Sequence, residues 1–473
     1  MRFPVLYGNK MEEKRVLIIG AGFCGLAAAH ELIDEENIKV DLVEKSTEIG
    51  GLSRTIKLGQ YKLELGPHVY FDKDKEVKAF WEKIAGDKYK SYKRSNRIFY
   101  RKKYINSPLS ILDTFFKLGP FAVAKILFSY MFSKVYKRPT RNAEDWVVNS
   151  FGKELFDRFF KVYNEKIWGI DCTEITPNWA GQRIKTSLIT MILKSVKRDH
   201  DFIIKTFDFP DGGSETLYNK QLENIKQSKN IEVYLGANIE SIEKVERHFL
   251  VRYKDKPFAA KYTHVVATNH LDNLNSLLRY PSKNEELLTE NISKLRYRNL
   301  VLVNFIFPRS AFKNFDEHWI DVHDPNVRTL RVTNFSNYNF ETEDKENVGV
   351  CLEYNCFESD DLWKMSDNEL IDVGRKDLDY MNLINVKPVL TSVLKLEKAY
   401  PVYNIGYQAH IAAVKDELSN VGGLILAGRN SMYKWNNMHH SVKTGLLAAR
   451  NIKGAKHNLE DVKGMVTIGK DSN

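Results

Sequence analysis

Gly20, Gly22, Gly25 and Glu44 are the residues of this 473-residue chain whose types and spacing imply chemistry most directly. The glycines form the pattern Gly-x-Gly-x-x-Gly, and Glu44 follows Gly25 by 19 positions (44 − 25). That pattern handles a dinucleotide. The first glycine permits a tight turn, the second lets backbone approach a pyrophosphate, and the third lets a helix pack closely on a strand. A helix N-terminus attracts the anion, and the acid is spaced to accept hydrogen bonds from a ribose. The elements that must position these residues are legible around them. Val16 to Ile19 reads as a buried parallel strand, the glycines open an amphipathic helix, and a second apolar strand ends at Glu44. Strand, helix, strand and acid in register predict a dinucleotide site rather than a glycine-rich turn.

A second glycine pair decides which dinucleotide is expected. After Glu44 the chain reads KSTEIGGLSRTIKLGQYKLELGPHVYF, with Gly50-Gly51 just before Ser53 and Arg54. A nicotinamide site does not need this pair. An elongated FAD does, because its isoalloxazine end runs along bare backbone far from the adenine. Near the other end, residues 424–452 begin with an apolar strand, reach Gly428-Arg429 and end in a helix. They predict the second half of one FAD domain, clasping the flavin from a segment 408 positions beyond Gly20.

Composition excludes several classes. With 43% hydrophobic and 28% charged residues the chain reads as an ordinary globular protein of two or three domains. Its 71 Lys and Arg exceed 61 Asp and Glu, a net +10 that suits an anionic ligand such as a nucleotide, or a membrane surface. The lysines are scattered and no nucleic-acid motif is present, so no nucleic-acid partner is expected. Cys24, Cys172, Cys351 and Cys356 are widely spaced and read as buried free thiols of a reducing compartment. The N-terminus has no apolar core of signal-peptide length, and a cytoplasmic location is expected. Residues 109–136 are the most apolar stretch. Asp113, Lys117, Lys125, Lys134 and Gly119-Pro120 interrupt it, so it is no membrane span. A pair of packed helices is the favoured reading, and a helix lying on a membrane is the alternative. His439 and His440 read as caps of a flavin-side turn, with no metal role for lack of a third ligand.

The expected fold is α/β: a Rossmann-like FAD-binding domain of the glutathione-reductase type, a helical subdomain and an antiparallel-sheet substrate domain. Residues 1–72, 201–275 and 395–473 are assigned to the FAD-binding domain, 73–200 to the mainly helical subdomain, and 276–394 to the substrate domain. Within them THVVATN (263–269) is expected to return to the nucleotide-binding sheet. NLVLVNFIF, RTLRVTNFS and GVCLEYNCF alternate as antiparallel strands.

The cofactor segments resemble FAD proteins that include monoamine oxidases, protoporphyrinogen oxidases and UDP-galactopyranose mutases. The resemblance sharpens toward the mutases, especially the larger eukaryotic type, in YNEKIWGIDCTEITPNWAGQRIK (163–185), RVTNFSNYN (331–339), GRNSMYKWNNMHHSVKTGLLAARNI (428–452) and ELGPHVYF (64–71). It implies cofactor contacts at Gly20, Gly22, Phe23, Cys24, Gly25, Glu44 and Lys45. It implies others at Gly51, Leu52, Ser53, Arg54, Gly66, Pro67 and His68, and at Gly428, Arg429, Asn437, Met438 and Ser441. Arg183 and Arg331 match the family's arginines for the substrate diphosphate, a group that guanidinium grips bidentately. Tyr338, Tyr400 and Trp435 are the aromatic candidates for the substrate, drawn from a set that also holds Tyr163, Trp168 and Tyr403. His68 matches a histidine beside the flavin, but Gly66-Pro67-His68 replaces the family's Gly-Gly-His. The proline removes a donor and stiffens the loop, which leaves a flavin-linked loop movement unsupported.

By that resemblance the chain is an FAD-dependent mutase. It would interconvert pyranose and furanose forms of a nucleotide sugar through a flavin N5–sugar adduct, for polysaccharide biosynthesis. The family's commonest substrate makes a UDP-linked sugar the expected one. An electron donor such as NAD(P)H would reduce the FAD. The alternative is an FAD-dependent oxidoreductase of amine oxidase or protoporphyrinogen oxidase type. A third reading, from another class, is a flavin-binding protein without turnover.

Overall fold

The computed structural model describes residues 13–70, 74–107, 116–179, 206–254, 259–311, 315–338, 344, 346–384 and 386–462. The chain forms two compact units. The first takes Met1–Gly51, Tyr218–Glu290 and Ala413–Val462, and the second takes Leu52–Leu217 and Asn291–Ala412.

The first unit is built on a five-stranded parallel sheet. Its order is Leu424–Leu426, His264–Ala267, Lys14–Ile19, Ile38–Glu44 and Ile231–Leu235. Val16, Leu17 and Ile18 are fully buried because the central strand is covered on both faces, which is why it reads as a continuous apolar run. The segment THVVATN does return to this sheet, pairing Val265 with Leu17. Helix Phe23–Glu31 and helix Met438–Ile452 approach at backbone distance. A Cβ on Gly25 would lie 1.9 Å from the Gly20 carbonyl oxygen, and one on Gly445 would lie 2.2 Å from the Cys24 carbonyl oxygen. A separate four-stranded sheet, Ala259–Tyr262, His248–Tyr253, Ile239–Val245 and Leu278–Arg279, completes the unit's β structure among the described residues.

The second unit centres on a seven-stranded sheet in the order Leu390–Pro401, Tyr297–Pro308, Asn347–Cys356, Arg331–Asn334, Trp319–Val322, Asn96–Tyr100 and Lys103–Asn106. Its pairings are antiparallel except that between Trp319–Val322 and Asn96–Tyr100. Period-two alternation sorts the side chains of the long strand Tyr297–Pro308. Val301, Val303, Phe305 and Phe307 enter one core, and Leu300, Leu302 and Ile306 enter another.

Segment 73–200, expected to be mostly helical, also contributes three strands, Tyr89–Lys93, Asn96–Tyr100 and Lys103–Asn106. Arg101 and Lys102 turn the hairpin at φ 49° and 59°, a two-residue turn usually made by Asn-Gly. Without that signal the pair of strands is not legible in the sequence. Gly119-Pro120 separates the helical residues 116–118 from the helix that follows. Gly119, at φ 87°, precedes Pro120 at the first position of helix Pro120–Val135, where the missing proline N–H costs nothing. All four cysteines are buried and free.

Candidate functional site

In the first unit the site is a cradle of backbone. Gly20 sits at φ +101°, and Gly22 is the extended N-cap of helix Phe23–Glu31 with no side-chain cap. The helix therefore presents its first N–H groups to whatever anion lies there. Gly50 donates its N–H to the Ala21 carbonyl at 2.9 Å, and a Cβ on Gly51 would lie 3.2 Å from Gly22 Cα. The second glycine pair thus lies against the first. Glu44 is half-buried, its carboxylate accepting the Ala21 N–H at 2.8 Å and the Ser46 N–H at 2.9 Å. Phe23 and Cys24 are buried, whereas Lys45 is exposed.

The distant segment meets this cradle within the same unit. A Cβ on Gly428 (φ +79°) would lie 3.1 Å from Cys24 Cβ, and the Gly428 N–H donates to Thr444 Oγ1 at 3.2 Å. Arg429 is turned onto its own loop, its Nε and Nη2 donating to the Asn436 carbonyl at 3.0 and 2.5 Å. Asn437 caps helix Met438–Ile452 in a reciprocal box with His440, whose Nδ1 accepts the Asn437 N–H at 3.1 Å. Met438 is buried, and Ser441 donates its N–H to the Asn437 carbonyl. Asn436, fully buried, has neither its amide oxygen nor its amide nitrogen bonded among the described residues. A buried amide left so is costly unless a ligand completes it. Glycines that admit no Cβ, a carboxylate held by backbone, a helix N-terminus and an unmatched amide fit an extended dinucleotide.

In the second unit the site is built from charge. The register places Asp321 opposite Arg331 and Arg331 opposite Glu353 on three adjacent strands, so the three side chains form one cross-strand row. Arg331 Nε donates to Asp321 at 3.0 Å, Nη1 to Glu353 at 3.5 Å and Nη2 to the Tyr163 hydroxyl at 3.3 Å. Tyr163 also donates to Asp321 at 3.1 Å and stacks on His323 with ring centres 4.4 Å apart. Helix Lys161–Trp168 holds Tyr163 there. Its Lys166 donates to the carbonyls of Val322, Asp324 and Thr329, and burial pulls the Lys166 pKa down to about 8. The π-helical turn Phe156–Phe160 precedes this helix, a distortion frequent at functional sites.

The two carboxyls of the row are driven apart. Burial raises Glu353, and Arg331 offsets only part of that rise. Burial also acts on Asp321, but Arg331, by charge and by hydrogen bond, brings it below its ordinary value. Burial opposes the Arg331 charge, yet Glu353, Tyr163 and Asp321 raise its pKa overall. The Arg331 side chain keeps 24% exposure, against 2% for Glu353. Arg94, over the Trp319 ring at 5.4 Å, is a second guanidinium within electrostatic reach of Arg331 and Asp321.

Gly66 presses on this row. At φ +90°, a Cβ there would lie 3.2 Å from Glu353 Oε2. Pro67 and His68 are half-buried, and His68 donates its N–H to the Gly66 carbonyl at 3.0 Å. Just before this loop Glu64 is 1% exposed. Its Oε1 accepts from the Thr55 hydroxyl and from the Ser214 N–H, both at 2.8 Å, and its Oε2 has no partner among the described residues. Burial pushes its pKa up to about 7. Leu52 and Ser53 lie in the short turn Gly51–Ser53, and Arg54 is half-buried beyond it.

The aromatic candidates separate. Tyr338 is buried among Phe207, Phe209, His318 and Phe335. Trp168 packs on Trp179 and Tyr403, and Tyr403 stacks on Tyr407. Tyr400 and Trp435 are half-buried and belong to different units. Arg183 lies outside the described residues. Asp321, Glu353, Arg94, Glu64 and Asn436 escaped the sequence reading. The strand alternation could have paired Arg331 with Glu353, but nothing local announces the others.

Residues 23–453 match the flavin-containing amine oxidoreductases. The chain belongs to that family. Its cofactor is FAD, and it is an FAD-dependent flavoenzyme. It is similar to the dTDP-fucopyranose mutase of Escherichia coli, 25% identical over 233 residues that cover 48% of this chain and 57% of the mutase. It is also similar to the protoporphyrinogen oxidase of Dictyostelium discoideum, 20% identical over 526 aligned positions that cover 89% of this chain and 95% of that one. A crystal structure of reduced UDP-galactopyranose mutase shares the fold, with a TM-score of 0.77, 20% identity and coverage of 93% and 94%. Among the described residues no helix is long and apolar enough to cross a membrane.

Proposed function

We propose that this flavoenzyme is a mutase that interconverts pyranose and furanose forms of a nucleotide sugar. The observation that carries the reading is Arg331, a guanidinium kept charged in a sheet interior and still 24% exposed. An apolar amine has no use for it, whereas a diphosphate can be gripped by its fork of donors. Arg94 would supply the second cation, with Arg183 as the further candidate from the sequence. The partial match to a dTDP-fucopyranose mutase supports the same substrate class.

FAD, held by Gly20, Gly22, Gly25, Glu44, Gly51 and the N-terminus of helix Met438–Ile452, would supply in its reduced form the nucleophile for the anomeric carbon. The chain's own residues do the rest. Arg331 and Arg94 hold the departing nucleoside diphosphate near the sugar, which makes its return effectively intramolecular. Asp321 and Tyr163 fix the Arg331 fork. Glu353, its pKa raised, can carry a proton when a polyanion arrives, which spares the site a buried negative charge.

A second reading, an oxidase of porphyrinogen type, is favoured by the longer alignment to the Dictyostelium enzyme. One experiment separates them. The purified yellow protein is reduced with dithionite and incubated with a panel of UDP- and dTDP-sugars. Furanose product formed only with reduced flavin is the expected result. Failure of either redox state to bind any nucleotide sugar, with oxygen-dependent turnover of a porphyrinogen or an amine, overturns the proposal.

A further inference from the structure

Helix Pro120–Val135 is apolar on two opposite faces. Its inner stripe, Ile126, Tyr130 and Ser133, is buried, and Gly152 packs so closely there that a Cβ would lie 2.7 Å from the Tyr130 nitrogen. Its outer stripe is bare among the described residues. Phe121, Phe128, Phe132 and Val135, spaced by seven, four and three, are 85%, 68%, 56% and 74% exposed, and Leu127 and Met131 flank them. Of the fourteen large apolar side chains exposed among the described residues, eight fall between Phe116 and Tyr136, so this is one patch and not a scatter.

Charge says what covers it. From Phe116 to Ala143 the sequence holds six cations, Lys117, Lys125, Lys134, Lys137, Arg138 and Arg141, and no Asp or Glu. Five of them are exposed, with Lys117 half-buried. A second copy packed across a twofold axis would set these cations against each other. A bilayer with anionic headgroups offers apolar depth for the rings and phosphates for the lysines. The helix has 16 residues, about 24 Å at 1.5 Å each, too short to cross the hydrocarbon core. It is long enough to lie along the surface.

We propose that helix Pro120–Val135 seats this enzyme on an anionic lipid surface, with Phe121, Phe128, Phe132 and Val135 at the acyl boundary and the flanking cations on the headgroups. The attachment does not depend on which substrate the flavin site takes. The test is flotation of the full-length, flavin-loaded protein with vesicles of phosphatidylcholine alone or mixed with phosphatidylglycerol. The protein is expected to float with the mixed vesicles and not with the neutral ones. The double variant Phe128→Asp/Phe132→Asp should lose about tenfold or more of that binding with its flavin spectrum unchanged, because two membrane-facing rings are replaced by charges. Lys125→Glu should lose roughly fivefold or more, in a salt-dependent way. No flotation of the wild type, or equal flotation of the double variant, overturns the proposal. So does a wild-type dimer in sedimentation that does not float and that the double variant converts to monomer.

Discussion

Gly25 and Gly445 prepare the parallel-sheet unit by leaving no room for a Cβ, whereas Asp321, Arg331 and Glu353 prepare the antiparallel unit by burying charge. The first mode uses backbone and helix N–H groups, so it tolerates variation at most neighbouring side chains. The second depends on side chains from three strands and a helix, each of which is costly if left alone. The difference teaches where specificity can sit. The cradle suits a dinucleotide in general, and under the proposed function the charged row would discriminate among substrates.

The comparison breaks most directly at Gly25. Gly25→Val should yield no folded, flavin-bearing protein, read as loss of the visible flavin band. Gly422→Ala, a glycine of the same unit with open space around it, should keep the band. Equal flavin content in both would remove backbone contact as the basis of the cradle. Arg331→Met should next keep the flavin but cost about 3–5 kcal/mol of stability, because two buried carboxyls lose their cation. It should also lower nucleotide-sugar turnover by roughly a hundredfold or more, two lost charge-assisted bonds being worth that much. Unchanged affinity for the nucleotide sugar would refute the diphosphate role.

Stability against pH sharpens the comparison further. Glu64 titrates near 7 in the fold instead of its ordinary 4.5. The folded state therefore holds a proton that the unfolded chain has lost, and stability falls as pH rises from about 4.5 to 7. His323 is pulled by burial from 6.5 to about 4, so its contribution is present above 6.5 and lost as pH falls toward 4. Between about 4.5 and 6.5 the two slopes oppose each other, and the wild type should be nearly flat in chemical denaturation. Glu64→Gln should be more stable at pH 8 by about 3 kcal/mol at most, since each tenfold change in proton affinity is worth about 1.4 kcal/mol. The same variant should expose the rising slope of His323. His323→Phe should expose the falling slope of Glu64. Parallel profiles for both variants would contradict the assignment.

The smallest expected effect is on ligand affinity. Because burial raises Glu353, a diphosphate should bind more tightly where Glu353 is protonated, and affinity for UDP should weaken with rising pH. Glu353→Gln should flatten that dependence and strengthen binding at high pH, where the wild type would hold a buried carboxylate beside the ligand. A steeper dependence in the variant would assign the proton to another group.

Most of the cradle was legible because its geometry is local. Gly20, Gly22, Gly25 and Glu44 lie on one strand–helix–strand unit, and bare spacing encodes the turn. The distant Gly428 was also legible, since it repeats a strand–glycine–helix grammar. The hairpin at Arg101-Lys102 was not, because its turn uses residues that rarely take positive φ. Glu64 and Asn436 look like ordinary polar residues in sequence, and only their burial makes them matter.

By itself, then, the sequence determined the glycine-and-acid pattern of the candidate cradle, the family and the apolar strands, since each depends on the order of neighbouring residues. Tertiary structure alone decided that Asp321, Arg331 and Glu353 form one row, that Tyr163 joins it from a helix 168 positions away, and that the outer face of Pro120–Val135 stays bare among the described residues. Strand register and burial set those facts. Both are properties of chain segments brought together from afar, and no local spacing records them.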